Sequence, residues 1–123
     1  MNLNIRIETF LSLNPIEMLN EWKELLSIGN EFVEGNYDDE KLARKIADAI
    51  LSHRSLMGSS KAYEAAFDID TDLLEVSIPI ARIAYGKTKP LISFLKSGIY
   101  YSTVLPNRFD KAQLQEEIEN IQR

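Results

Sequence analysis

The chain of 123 residues has no cysteine, one histidine and one tryptophan. Without cysteine there is no disulfide framework, no thiolate nucleophile and no cysteine-based zinc site. No long hydrophobic run is present either. A membrane span needs about eighteen apolar residues, and the longest apolar stretches here are broken by Pro79 or Lys96. The first residues, "MNLNIRIETFLSLNP", lack a basic start, a continuous apolar run and a small-residue cleavage site. They do not read as a signal peptide, so a cytoplasmic location without membrane association is expected.

The last absence is local. From Val76 to Phe109 there is no acid, only the bases Arg82, Lys87, Lys89, Lys96 and Arg108. The residues up to Glu40 hold nine acids and two bases, and the whole chain has a formal net charge of −5. Such asymmetry marks candidate interaction surfaces. The simplest arrangement packs the basic segment beside the acidic third, so that the two fields cancel.

What remains is ordinary globular composition, 45% apolar and 27% charged. Residues 1–123 read as a single domain, long enough to bury a core without covalent staples. Asn14, Pro15 and Glu17 form a helix start with a capping box. Leu19, Trp22, Leu25 or Leu26, and Phe32 or Val33 then recur at helical spacing, so a helix over 15–34 is expected, closed by Gly35 in a left-handed conformation. Asp38, Asp39 and Glu40 open a second helix that runs to about Leu56 and is broken by Gly58-Ser59-Ser60. Ser60 then caps a short helix, "KAYEAAF".

Further on the pattern is two-sided. The odd positions of residues 2–8 are apolar, as in a strand, although Leu3, Ile7, Phe10 and Leu11 also fit a helix face; the strand is the expectation taken. Leu74, Val76, Ile78 and Ile80 alternate as well, with Pro79 as a kink or an edge mark. Asp72 is the N-cap if the helical reading holds there. "PLISFLKSG" reads as a short helix ended by Gly98, and "IYYSTVL" as a strand. Asp110 caps a C-terminal helix with Leu114, Ile118 and Ile121 on one side. The expected fold is a mainly α bundle of four to six helices with at most a small β element. The alternative is α+β with strands near 2–8, 74–80 and 99–105.

The motifs are fragments. "ARIAYGKT" (81–88) nearly spells a phosphate-binding loop, with Lys87 and Thr88 as the nucleotide-binding residues of that reading. Its interior, Arg82 to Tyr85, contains the β-branched Ile83, which disfavours the positive φ that such loops use. The competing reading ends a helix at Tyr85 with Gly86, sets Lys87 and Lys89 at its C-terminal dipole and starts the next helix at Pro90. Asp68, Asp70 and Asp72 have a calcium-loop spacing, but Leu73 and Pro79 stand where glycine and glutamate are needed. They read as an acidic turn and cap. His53 reads as a protonated ring near a helix C-terminus, where it is stabilising. Ser59 and Ser60 carry no nucleophile signature.

These fragments leave no complete catalytic set, and no enzyme activity, cofactor or metal is expected. The acidic residues Glu17, Glu21, Glu24, Glu31, Asp38, Asp39 and Glu40 form the candidate docking face, with Glu17, Glu21 and Glu24 sharing one side of the helix. The reading that follows is a small acidic protein-binding domain. Its most concrete form is an inhibitor, immunity or antitoxin protein that neutralises a basic toxin or nuclease. Two alternatives stand beside it. One is a nucleic-acid-associated regulator using the bases and aromatics of 76–109. The other is a nucleotide-binding protein using 81–88.

Overall fold

A computed structural model describes residues 2–59 and 66–123, and among them it contains only helices. They are α1 (Leu3–Leu11), α2 (Pro15–Asn20), α3 (Trp22–Glu34), α4 (Glu40–Ser59), α5 (Ala66–Tyr85), α6 (Lys89–Ser102) and α7 (Lys111–Gln122). The fold is a mainly α bundle. None of the described helices is long and apolar enough to cross a membrane.

Helix α5 is the axis of the bundle, packed on α3, α4 and α6. Ile69, Leu73, Leu74, Val76, Ile78, Ile80, Ala81 and Ala84 along it are all buried. A helix with neighbours on several sides buries far more than one narrow stripe. That explains why 74–80 looks like a strand in sequence. Leu74, Val76, Ile78 and Ile80 are buried against different neighbours, so their alternation carries no information about period. The buried hydroxyls are satisfied within the helix, Thr71 Oγ1 donating to the Phe67 carbonyl at 2.7 Å and Ser77 Oγ to that of Leu74 at 2.9 Å. Pro79 lies inside α5 and supplies no N–H to the Glu75 carbonyl one turn back.

The strand expected at 2–8 is also helix. Leu3, Ile7 and Phe10 are the buried positions of α1, at helical spacing, and Ile5 is exposed. The strand expected at 99–105 is the last turn of α6 and the turn after it. Gly98 does not end α6. It lets α6 approach its neighbours: a Cβ there would stand 2.8 Å from Leu114 Cδ1 and 3.0 Å from Ile78 Cδ1.

The expected helix 15–34 is two helices. The Asn14 capping box forms as expected, but Glu21 leaves the helical region with ψ at 29° and separates α2 from α3. Gly35 is not the left-handed residue, since its φ is −80°. Asn36 takes that conformation, with φ 53°. The Tyr37 N–H reaches the Phe32 carbonyl at 3.3 Å and the Asn36 N–H reaches that of Val33 at 3.2 Å, and the Tyr37 ring stacks on Phe32. This is a Schellman closure with its hydrophobic contact, in which asparagine takes the place of glycine.

Asp39 caps α4, its Oδ1 accepting from Lys41 N at 3.0 Å and Leu42 N at 3.2 Å. Helix α4 runs past the expected end near Leu56, through Gly58 to Ser59, within the stretch Gly58-Ser59-Ser60 expected to break it. The cap at Ser60 and residues 61–65 of "KAYEAAF" lie outside the described residues. Asp110 caps α7 as expected, accepting from Gln113 N at 3.2 Å, with Leu114 and Ile118 buried.

Candidate partner-binding surface

The seven acids of the expected docking face do not stay together. Arg6 on α1 reaches across to α3 and holds Glu24, Ser27 and Glu31, which lie on one side of that helix. Arg6 Nη2 is 2.5 Å from Glu24 Oε1. Its side chain is only 17% exposed, and the two carboxylates raise its pKa despite partial burial. Glu24 and Glu31 therefore staple α1 to α3. Glu17 serves the α2 capping box, and Asp39 caps α4.

The other three, Glu21, Asp38 and Glu40, lie just beyond the two ends of α3, where Glu34 joins the last two. Glu21 precedes its first residue, and Glu34 is its last. Thirteen residues of helix separate the ends by about 20 Å. The richer end is the α3–α4 turn. Residues 33–40 are exposed without interruption, and they include Glu34, Tyr37, Asp38, Asp39 and Glu40. Glu34, Asp38 and Glu40 make no ion pair among the described residues.

Glu31 and Glu34 also stand in the last turn of α3, which holds no base. The helix dipole is negative there, so the turn concentrates negative potential rather than relieving it. At its centre Tyr37 is 43% exposed and held by its stack on Phe32. Val33 leads into a groove of about 390 Å³ between α3 and α5, lined by Leu26, Asn30, Val76 and Pro79. Arg108 closes its rim on Asp72 at 2.8 Å and on Glu75 at 2.5 Å.

The basic segment reaches this surface only through α5 and Arg108, whose charge is taken by Asp72 and Glu75, so it does not neutralise Glu34, Asp38 and Glu40 as expected. Helix α6 packs on α5 and α7, whereas α3 packs on α1, α4 and α5, and α2 on α3 and α4. The central helix separates Lys89 and Lys96 from the acids. Pairing segments by sign alone overlooks Arg6, one of only two bases before Glu40, as the partner of two glutamates.

The other candidates fall into structural roles. Residues 81–85 are helical, and Gly86 ends α5 in the left-handed region with φ 59°. A phosphate would meet no converging N–H groups from a helical 82–85. Thr88 Oγ1 donates to the Tyr85 carbonyl at 2.6 Å. The C-terminus of α5 is served by Arg44, whose Nε donates to the Ala84 carbonyl at 2.9 Å. Lys87 is exposed and makes no ion pair among the described residues.

Asp68, Asp70 and Asp72 are not a turn or a cap, because α5 begins before them. Asp72 faces Arg108. Asp70 faces Arg54, whose Nε is 2.8 Å from its Oδ1, and accepts a hydrogen bond from the Tyr101 hydroxyl. Burial and that bond push the Tyr101 pKa up. No group of three His, Cys, Asp or Glu side chains able to hold a metal occurs among the described residues.

His53 is not a charged residue at a helix end. It is fully buried within α4, and burial lowers its pKa against the opposing effects of the Leu19 carbonyl and Asp70. Its Nε2 lies 3.1 Å from the Leu19 carbonyl oxygen. A carbonyl only accepts, so Nε2 carries the proton, and the buried Nδ1 has no partner for a second one among the described residues. Leu19 lies just before the break at Glu21, and His53 satisfies the carbonyl that the break leaves open.

No protein-family model, curated protein or solved structure matches the chain.

Proposed function

We propose that this chain is a non-catalytic protein-binding domain that docks a basic protein through the α3–α4 turn. The carrying observation is the uninterrupted exposure of 33–40, with unpaired Glu34, Asp38 and Glu40 around the stacked ring of Tyr37. Interfaces anchor on rigid aromatics, and complementary charge steers the encounter. The adjoining groove beside Val33 offers apolar area next to the acids. The most concrete form of this reading is an inhibitor or immunity-type protein covering a basic enzyme such as a nuclease. Net charge and the acidic turn are its support.

Affinity purification from the native cell with the immobilised chain tests the reading. A basic protein should be retained at low salt and released as salt rises. Tyr37→Ala with Asp38→Asn and Glu40→Gln should lose it. Retention of no basic protein, or equal retention by that variant, would sink the reading.

A further inference from the structure

The unpaired lysines of the acid-free segment line a second surface. Between α6 and the end of α7 lies a groove of about 610 Å³, lined by Lys89, Ile92, Ser93, Lys96, Ile121 and Arg123. Lys89, Lys96 and Arg123 form no ion pair among the described residues. Glu117, the acid one turn before Ile121, is engaged by Arg82 at 2.5 Å. Stability does not explain Lys89. It is the first residue of α6, where the helix dipole disfavours a cation.

The α6 side of the groove has a helical register. Lys89, Ile92, Ser93 and Lys96 stand at i, i+3, i+4 and i+7, one face of two turns. The lysines are about 10.5 Å apart along the axis. Between them Ile92 is half-buried, and Ile121 from α7 completes an aliphatic floor. Ser93 is satisfied internally, donating to the Pro90 carbonyl at 3.1 Å.

We infer that this groove docks an acidic amphipathic helix of a partner protein. Glutamates seven residues apart on such a helix match the two lysines, and an aliphatic side chain between them meets Ile92 and Ile121. Single-stranded nucleic acid needs exposed rings to stack on. Of the segment's rings, Phe94, Tyr101 and Phe109 are buried and Tyr85 is half-buried; Tyr100 on α6 is exposed but does not line the groove, and none of the groove's side chains is aromatic. Neither α6 nor α7 packs on α3, and the groove and the acidic turn share no residue, so the inference stands independently of the basic partner proposed above.

The test is fluorescence anisotropy of a labelled helical peptide of about sixteen residues, with glutamates seven apart and leucines between them. The full chain is titrated at low and at physiological ionic strength. Saturable binding is expected, about tenfold weaker for Lys89→Glu with Lys96→Glu. Ile92→Gln should weaken it as well. Asp38→Lys with Glu40→Lys should leave it unchanged. Lys89→Glu alone should raise stability slightly while it weakens binding, which separates folding from docking. Three results would each overturn the inference: no saturable binding, equal affinity of the folded lysine variant, or equally tight binding of polyglutamate or a thymidine oligonucleotide.

Discussion

Arg6 Nη2 on α1 stands 2.5 Å from Glu24 Oε1 on α3, and the same guanidinium holds Glu31, two turns further along that face. A row of like charges thereby becomes a clasp between two helices. Removing the arginine leaves two carboxylates facing each other across Ser27. Arg6→Met is expected to destabilise by about 1–2 kcal/mol, more than an isolated surface ion pair is worth. Glu24→Gln with Glu31→Gln should cost less, because no charge is then stranded. Urea unfolding of the three proteins gives the comparison. Equal stability of Arg6→Met and the parent would mean that the clasp contributes nothing.

Local signals are readable in this sequence, and contacts between distant residues are not. Asn14 with Glu17, Asp110 with Gln113, and Pro90 near the start of α6 all do what their neighbours in sequence dictate. The misreadings share one cause. Leu74 to Ile80 reads as a strand because α5 packs against α3, α4 and α6 at once. Gly98 reads as a stop because its reason for being glycine, the side chains of Leu114 and Ile78, lies elsewhere in the chain. The acidic row reads as one free docking face because Arg6, which engages Glu24 and Glu31, is 18 residues from Glu24.

His53 makes stability depend on pH. Its folded-state pKa lies below the ordinary 6.5, because burial opposes the charged ring. Between the folded value and 6.5 the unfolded chain binds the extra proton. The contribution of His53 is therefore complete above about pH 6.5 and is lost as pH falls through the folded-state value. Unfolding free energy measured across the weakly alkaline to weakly acidic range should decline below about pH 6.5. His53→Gln, which can still donate to Leu19, should flatten that decline by at most about 1.4 kcal/mol per pH unit. An unchanged slope would place the titrating group elsewhere.

Two glycines should respond oppositely to alanine. Gly58, near the end of α4, has no atom of the described residues within 4 Å of the place an alanine methyl would take. Gly58→Ala should therefore stabilise by about 0.5–1 kcal/mol. At Gly98 the added methyl meets Leu114 and Ile78 from two sides in a packed core. Gly98→Ala should destabilise by about 1 kcal/mol net, overpacking exceeding the gain in helix propensity. Thermal unfolding distinguishes the two. Stabilisation by both would mean that α6 and α7 have room between them for a methyl group.

The α3–α4 turn can be tested against the other end of α3. Calorimetric titration of the captured basic partner would compare the parent chain with two charge reversals, Asp38→Lys with Glu40→Lys and Glu17→Lys with Glu21→Lys. Docking at the turn predicts a loss of about a hundredfold in affinity for the first and a change within about threefold for the second. Loss confined to the second reversal, or no loss with either, would contradict it.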